Sequence, residues 1–134
     1  WKVKSSFTTI HNYIDTDDMI LRKGAISTKK DELVLIPLSM RDGAIIAKGL
    51  GNPEWNCSAP HGAGRSLSRS KAKELLDVNE FAAQMAGIYT TCIGEATLDE
   101  APDAYKPAES ILENIKDTVE ILEVIKPVYN FKAH

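Results

Sequence analysis

The sequence lacks the features of disulfide-rich, membrane-spanning and repetitive proteins. Its 134 residues include two cysteines, Cys57 and Cys92, and neither belongs to a CxxC pair, which argues against a structural zinc site. Reduced thiols in a cytoplasmic protein are the simplest interpretation. No apolar run approaches the roughly 18 residues that a membrane span requires. The chain also starts without Met and without the apolar segment of a signal peptide, so we expect it to be part of a longer protein or a processed product.

What remains is the composition of one folded domain. Hydrophobic residues make up 43% of the chain and charged residues 26%, close to the average for globular proteins. The formal net charge of -3 hides an uneven distribution, because residues 61–73 contain four basic side chains and no acid, whereas residues 95–123 contain nine acids and two lysines. A compact basic segment of this kind can hold a phosphate without making the whole chain a nonspecific nucleic-acid binder.

The pattern of apolar residues predicts an α+β fold, with strands in the first half and helices mostly in the second. Short apolar runs bounded by turn residues predict strands over 3–10, 22–26, 33–36, 44–47, 88–93 and 118–131. Helices are expected over 66–76, 79–85 and 109–116, with Asn79 as the N-cap of the second. Residues 49–64 and 94–107 are expected to be irregular.

A glycine-rich loop over residues 61–65, His-Gly-Ala-Gly-Arg, leads into the first predicted helix. Its two glycines let the backbone approach a ligand and can leave N–H groups pointing at an anion, and a helix N-terminus would add a partial positive charge. Arg65, Arg69 and Lys73 follow at i, i+4 and i+8, as one basic ridge. The unit is typical of a phosphate site, although a flexible glycine turn before an exposed basic helix fits the same pattern.

The three histidines allow different interpretations. His61 opens the glycine loop, where it can be a nucleophile, a general acid, a metal ligand or a plain surface residue. His11 follows a β-rich run, where a structural role is commoner than metal ligation. The three aspartates within residues 15–18 lack EF-hand spacing and are interpreted as a solvated turn. His134 ends the chain, and chain ends are commonly disordered.

Other polar and aromatic residues have ordinary explanations on their own. Ser39 ends a strand as a turn serine or as a donor to a phosphate or a base. Met40 is expected to fill the core, and Trp55 to pack over the loop or stack on a base. Tyr105 and Lys132 have no role that their local sequence indicates.

Taken together, these segments resemble the RtcB-type RNA ligase family. The resemblance covers about residues 8 to 132, in the family's order, and the ordered set is specific although each piece alone is weak. The matching motifs are His11-Asn12-Tyr13, Arg22-Lys23-Gly24-Ala25, Asn56-Cys57-Ser58-Ala59-Pro60-His61-Gly62-Ala63-Gly64-Arg65, Ser68-Arg69, Lys71-Ala72, Asp99-Glu100-Ala101-Pro102, Tyr105-Lys106 and Pro127-Val128-Tyr129-Asn130-Phe131-Lys132.

The resemblance implies an enzyme that joins RNA carrying a 3′-phosphate or 2′,3′-cyclic phosphate to a 5′-hydroxyl end. Such enzymes use GTP and Mn²⁺ and act on tRNA halves or broken RNA, in tRNA splicing or RNA repair. By the match, His61 attacks the α-phosphate of GTP and carries GMP as a phosphoramidate. The RNA 3′-phosphate then takes the GMP, and the 5′-hydroxyl finally releases it.

The same match implies roles for individual residues. His11 corresponds to a Mn²⁺ ligand and Asn12 to part of the nucleotide site. Lys132 corresponds to a lysine at the guanine, and Tyr105 is a weaker match to a pocket tyrosine. Further implied nucleotide contacts are Pro37, Leu38, Ser39, Met40, His61, Gly62, Ala63 and Gly64. Candidates for RNA or triphosphate oxygens are Lys23, Arg65 and Arg69.

Several departures accompany the resemblance. Leu38 and Ala44 stand where well-known members have Gly and Ser, and Pro60 stands where some have Cys, which suggests a divergent branch. The family's Asp, Cys and two further His metal ligands lie in an N-terminal part that this sequence does not contain.

We therefore expect residues 1–134 to be a single C-terminal fragment of a larger RtcB-like fold. The fragment is expected to be inactive by itself and to dock on the missing N-terminal part of the same protein. An archease-like activator is a possible partner. The alternative hypothesis is a noncatalytic nucleotide-binding or RNA-binding module.

Overall fold

The computed structural model describes residues 2–132, so Trp1, Ala133 and His134, including the terminal histidine, lie outside the described residues. The predicted α+β class is confirmed, with strands mostly in the first half and helices in the second. The strands are β1 Asn12–Asp15, β2 Ile20–Lys23, β3 Ala25–Ser27, β4 Leu33–Pro37, β5 Ala44–Gly49, β6 Ser58–Pro60, β7 Tyr89–Thr90, β8 Val119–Ile125 and β9 Tyr129–Asn130. The helices are α1 Arg69–Leu75, α2 Val78–Gln84 and α3 Ala108–Asn114, with 3₁₀ turns at Pro53–Trp55, Glu95–Glu100 and Pro102–Ala104.

The strands form one three-stranded sheet and three pairs. The antiparallel sheet has the order β4-β5-β8, and its β4–β5 register pairs Val34 with Ala47 and Ile36 with Ile45. The antiparallel pairs are β1–β2 and β3–β6, whereas β7 and β9 run parallel. Alternate residues of β4 and β5 are buried, as the period of two along a strand requires when one face covers a core.

Two hydrophobic clusters stabilise these elements. The first packs the inner face of β4 and β5 against Ile111 and Ile115, which lie one helical turn apart at the end of α3. The second surrounds Phe81 of α2 and contains Met40 from the turn after β4. Met40 is therefore core filler, as predicted. Within residues 2–132 no helix is both long and apolar enough to cross a membrane.

The turn between β4 and β5 depends on a glycine. Gly43 has φ +86°, and a Cβ at this position would lie 2.0 Å from the Ile125 carbonyl oxygen of β8. Leu38 N donates to Gly43 O at 2.8 Å, which closes the turn. Because β8 lies so close, no side chain fits at position 43. The turn over residues 37–43 therefore lies against the end of β8.

Several sequence predictions need correction. No strand forms over residues 3–10, because within residues 2–132 this segment makes no backbone–backbone hydrogen bond to a neighbouring strand; Leu35 N donates instead to the side-chain oxygen Thr9 Oγ1. The strand predicted over 22–26 is broken at Gly24, whose φ is +67°. Asp77, rather than Asn79, caps α2, since its Oδ1 accepts from the N–H groups two and three residues later.

Other boundaries shift by a few residues. The first helix begins at Arg69 instead of residue 66, because Ser68 Oγ accepts from the Lys71 N–H and so caps α1. The strand predicted over 88–93 is reduced to two residues. The segments 49–64 and 94–107 are more regular than expected, since they contain β6 and all three 3₁₀ turns.

Candidate functional site

Two histidines lie with their rings stacked, just before β1 and just after β6. The ring centroids of His11 and His61 are 4.6 Å apart and the ring planes are inclined by 21°. The turn at Gly24 joins the two segments, since Ala25 N donates to His11 O and His61 N donates to Gly24 O, both at 3.3 Å. Two imidazoles that are distant in the sequence are thereby presented side by side.

A backbone carbonyl determines which nitrogen of His61 is available for chemistry. His61 Nδ1 lies 2.6 Å from Gly24 O, and a carbonyl oxygen can only accept, so Nδ1 carries the proton. The lone pair of the neutral ring is then on Nε2, which makes no hydrogen bond within residues 2–132. Gly24 is itself held by Asn12, whose Oδ1 accepts from Gly24 N at 2.8 Å. The arrangement leaves one imidazole nitrogen free to act as a nucleophile, a base or a ligand.

The histidine pair lines a cleft of about 450 Å³. Phe7, Ile26 and Pro37 contribute to its other walls, which are largely apolar. An apolar wall raises the strength of any electrostatic interaction made inside the cleft, because it excludes water.

A second cavity, of about 190 Å³, is lined by six of the twelve nucleotide contacts that the resemblance implied. Residues 37–40 form one wall, and Tyr105, Asn130 and Lys132 form another. Residues that are up to 95 positions apart in the sequence are therefore neighbours around one cavity. Pro37 lines both this cavity and the histidine cleft, so the two are adjacent.

Ser39 belongs to that wall, but its hydroxyl is engaged in the turn. Ser39 Oγ donates to Asp42 Oδ2 at 2.8 Å and accepts from Asp42 N at 3.0 Å. The turn-serine interpretation therefore describes its contacts in this structure. Asn130 fixes the same wall from the other side, since its Nδ2 donates to Met40 O at 2.7 Å.

The glycine loop over residues 61–64 packs against the end of β4. Ala63 N donates to Pro37 O at 3.0 Å, and Ala63 is buried. The expectation of a helix N-terminus at this loop is wrong, because α1 begins five residues after Gly64. The intervening residues are instead bound to the segment before α3, with Ser66 N donating to Ala104 O and Lys106 N to Gly64 O.

A carboxylate that the sequence analysis assigned no role lies at the centre of the predicted cationic residues. Glu100 Oε2 accepts from Lys132 Nζ at 2.9 Å and from the Tyr105 hydroxyl at 2.8 Å. Its Oε1 accepts from Arg65 at 2.7 Å and from Arg69 at 2.9 Å. These five residues are called the Glu100 cluster below. Glu100 was visible in the sequence only as part of the Asp99-Glu100-Ala101-Pro102 motif.

The cluster shifts the titration of its members. Partial burial favours the neutral form of Glu100, but the hydrogen bonds from Lys132 and Tyr105 and the charge of Lys132 outweigh it, and the pKa of Glu100 falls to about 2. Burial and the adjacent Glu100 carboxylate raise the pKa of Tyr105 to about 12. Near neutral pH, Glu100 is therefore ionised and Tyr105 keeps its proton.

The predicted basic ridge does not form a row along one helix. Arg65 precedes α1, and all three basic side chains turn toward acidic partners. Arg69 is paired with Asp99, and Lys73 Nζ lies 3.5 Å from Asp99 Oδ1. An open groove of about 630 Å³ lies next to the second cavity, and its lining includes Arg69, Lys73, Asp99 and Lys132.

The remaining candidates are spread more widely. Lys23 is exposed at the end of β2, opposite Asn12 in the β1–β2 register. Trp55 is half exposed in the first 3₁₀ turn. Asp15 pairs with Arg22 and Lys29 in the turn predicted from residues 15–18.

No group of three or more His, Cys, Asp or Glu residues within 2–132 is arranged to hold a metal ion. His11 offers one imidazole, and its stacked neighbour is the other histidine of the cleft. The described residues therefore do not fit a complete Mn²⁺ site by themselves, because such a site needs several convergent ligands.

The thiol of Cys92 holds the segment that carries Lys132. Both cysteines are free, and Cys92 is buried. Its Sγ accepts from Lys132 N at 3.1 Å, and this hydrogen bond lowers the pKa of Cys92. The backbone around Lys132 is thereby fixed independently of its side chain.

Comparison with known proteins places these features in one family. The family model described as tRNA-splicing ligase RtcB matches residues 2–133. The chain is 36% identical over 130 residues to "RNA-splicing ligase RtcB" of Escherichia coli (strain K12), which covers 92% of this chain and 31% of that protein. It is 41% identical over 85 residues to "tRNA-splicing ligase RtcB" of Aeropyrum pernix, covering 60% of this chain and 18% of that protein. The chain spans about a third of the length of its Escherichia coli relative.

Proposed function

The chain belongs to the tRNA-splicing ligase RtcB family, and from that premise we propose that it forms the nucleotide-carrying C-terminal part of a GTP-dependent RNA ligase. The proposed reaction joins an RNA 3′-phosphate or 2′,3′-cyclic phosphate to a 5′-hydroxyl, during tRNA splicing or RNA repair. The observation that carries the proposal is the hydrogen bond between His61 Nδ1 and Gly24 O, which places the lone pair of the neutral ring on Nε2, in a cleft beside the second cavity.

His61 is the proposed nucleophile. Its Nε2 attacks the α-phosphorus of GTP, and the nitrogen–phosphorus bond forms as the bond to pyrophosphate breaks. The ring proton stays on Nδ1, where Gly24 O stabilises the positive charge that the ring acquires. The product is GMP attached to His61 as a phosphoramidate.

Where the RNA ends in a 2′,3′-cyclic phosphate, water first attacks its phosphorus and the bond to the 2′-oxygen breaks, which gives the 3′-phosphate and a 2′-hydroxyl. Two transfers then complete the proposed cycle. An oxygen of the RNA 3′-phosphate attacks the phosphorus of the phosphoramidate, which restores the free His61 and moves GMP to the RNA end. The 5′-hydroxyl then attacks the activated 3′-phosphate, a phosphodiester forms and GMP leaves. In each step the site must place the reacting atoms in line and balance the phosphate charge.

The second cavity is the proposed guanylate site. It lies beside the histidine cleft, and its walls contain the residues 37–40, Tyr105 and Lys132. Lys132 contributes a cation and Tyr105 an aromatic ring, which suit a nucleotide base with carbonyl oxygens. Asn12 acts through Gly24, since it holds the carbonyl that orients His61. Lys23, Arg65 and Arg69 are the proposed partners of RNA or triphosphate oxygens.

Manganese is proposed to bind only when a part of the protein outside this chain supplies further ligands. His11 is the ligand proposed from this chain, because its imidazole lies against the nucleophile. The 134-residue chain alone is therefore proposed to bind the nucleotide but not to acquire GMP covalently. An archease-like activator remains a proposed partner of the complete protein.

Intact-mass spectrometry of the full-length protein after incubation with GTP and Mn²⁺ tests the proposal. Wild type should gain the mass of one GMP, on the peptide that contains His61, and acid should remove it because a phosphorus–nitrogen bond is acid-labile. His61→Ala should gain none and should keep its fold, since His61 is exposed. An adduct on His61→Ala would assign the nucleophile elsewhere, and GTP binding by wild type without any adduct would favour the noncatalytic module.

A further inference from the structure

We propose that Glu100 is a positioning residue of the guanylate cavity, which acts by holding the Lys132 ammonium and the Tyr105 hydroxyl at the cavity wall. The inference rests on the proposed function, because it assigns a further residue to the same nucleotide site. Glu100 lies outside the cavity lining and reaches the site through the two side chains that its Oε2 binds.

Lys132 needs such a partner because its side chain is long and partly exposed. About a third of the side chain is exposed, and a lysine at such a site has several rotamers of similar energy. The 2.9 Å bond to Glu100 Oε2 selects one of them before the nucleotide arrives. A ligand then binds without ordering the side chain, which strengthens binding through pre-organisation.

The carboxylate is itself held from the opposite side. Glu100 Oε1 accepts from Arg65 and Arg69, so neither oxygen can turn toward the cavity without losing two hydrogen bonds. Arg65 is anchored in turn by the Asp99 carbonyl and lies with its guanidinium carbon 4.8 Å from the centre of the Tyr105 ring. Lys132 and Tyr105 are thus oriented by a carboxylate that two arginines hold from the other side.

The Glu100 cluster and its neighbours Lys73 and Asp99 together remain attractive to phosphate, despite two carboxylates. Arg65, Arg69, Lys73 and Lys132 carry four positive charges, and Asp99 and Glu100 carry two negative ones, so the local sum is 4 − 2 = +2. Glu100 therefore positions Lys132 without cancelling the positive field at the groove.

A coupled-variant experiment separates positioning from a general structural role. Binding of GMP to the full-length protein is measured by isothermal titration calorimetry for wild type and Glu100→Gln. The glutamine keeps the shape but turns one acceptor into a donor that faces donors, so GMP should bind about tenfold more weakly. In a Lys132→Met background, the same change should cost less than about threefold, since only the Tyr105 hydroxyl is then left for Glu100 to hold.

Glu95→Gln is the matched control, because Glu95 is an exposed glutamate in the same 3₁₀ turn. It should leave GMP affinity within about twofold of wild type. If Glu100→Gln does not fold, Glu100→Asp provides the same test, since it keeps the charge and withdraws the carboxylate by one methylene.

Two results would overturn the inference. One is unchanged GMP affinity in Glu100→Gln, and the other is an equal loss with and without Lys132. Failure of the proposed function has a different signature, because wild type would then acquire no GMP covalently in the mass measurement, whatever its affinity for GMP.

Discussion

Two clusters of hydrogen bonds, each centred on one charged side chain, differ in their exposure to solvent. The guanidinium of Arg22 is buried, with 1% of its side chain exposed, and binds the Asp15 carboxylate, the Tyr13 hydroxyl, Ser58 Oγ and two carbonyl oxygens. The Glu100 carboxylate is 14% exposed and binds four donors at the edge of a cavity and a groove. The first group is the Arg22 cluster.

We infer from the difference in exposure that the Arg22 cluster supports the fold, whereas the Glu100 cluster is placed to contact a ligand. The Arg22 cluster joins β2 to residues 56–58 and so supports β6, the strand that precedes His61. The Arg22 guanidinium makes its five hydrogen bonds inside the protein, and of the residues that it binds, Tyr13 lines a small cavity of about 120 Å³. The Glu100 carboxylate likewise accepts four hydrogen bonds. Three of the residues that bind it line the second cavity or the groove, namely Arg69, Tyr105 and Lys132. We infer that a fully hydrogen-bonded polar cluster supports the fold when its side chains face the protein interior, and is able to serve a ligand when several of them line a cavity.

Removing the buried cation should have the largest effect on stability. Arg22→Met removes the buried partner of two carbonyls and leaves the Asp15 carboxylate with Lys29 as its one cation, so the free energy of unfolding should fall by about 3 kcal/mol. Denaturant unfolding followed by circular dichroism measures the change.

Arg41→Met is the matched control. Arg41 is 41% exposed and pairs with its neighbour Asp42, so its loss should cost less than about 1 kcal/mol. Equal losses at the two arginines would show that burial does not distinguish these ion pairs.

A smaller loss of stability is expected from a substitution at Gly24, the residue whose carbonyl oxygen binds His61 Nδ1. Gly24 and Gly87 both have positive φ, so alanine at either should cost about 1 kcal/mol of stability. A Cβ at Gly24 would lie 3.5 Å from His61 Nδ1, whereas one at Gly87 would have no neighbour within 4 Å.

Alanine strains the backbone at Gly24, whose carbonyl binds His61 Nδ1, so the rate of GMP-adduct formation should fall in Gly24→Ala and stay unchanged in Gly87→Ala. Mass spectrometry over time measures both. Equal rates in the two variants would mean that the Gly24 carbonyl does not orient His61.

Lowering the pH should destabilise the wild-type protein more than Glu100→Gln, because only the wild type has a carboxylate at position 100 to protonate. The folded pKa of Glu100 is about 2, against an ordinary value of 4.5, so the unfolded chain takes up a proton first as pH falls. The stability that this carboxylate contributes is complete above about pH 4.5 and is lost as pH falls toward 2.

Thermal unfolding of wild type and Glu100→Gln at several pH values measures this contribution. The melting temperature of wild type should decline more steeply between pH 4.5 and 2. Parallel declines would show that the Glu100 cluster does not hold its carboxylate ionised.

The smallest expected effect is on RNA affinity, when the proposed phosphate contact of Arg69 is removed. Arg69 is two-thirds exposed and faces the groove, so Arg69→Ala should weaken RNA binding more than GTP binding. The slope of log affinity against log salt should become shallower by about one unit.

Lys71→Ala provides the control, because Lys71 is an exposed cation on the same helix and lies outside the groove lining. Binding of a single-stranded RNA with a 3′-phosphate, titrated at several salt concentrations, gives both slopes. An unchanged slope together with lost GTP binding would reverse the assignment of Arg69.

Local patterns in the sequence were sufficient for some elements. Strands β4 and β5 were predicted from short apolar runs, and α3 from the spacing of Ile111 and Ile115, because their signals lie within a few residues. The segment 3–10 has strand-forming residues and still forms no strand, since a strand exists only when a neighbour satisfies its N–H and C=O groups.

The sequence by itself determined the fold class, the family and the set of candidate residues, since these follow from composition and from the order of short motifs. Only the tertiary structure decided which nitrogen of His61 is free and which carboxylate binds Lys132. Both depend on hydrogen bonds between residues 37 and 32 positions apart, one to a backbone carbonyl and one to a glutamate. Such partners are chosen by how the chain packs, and no local pattern of residue types encodes them.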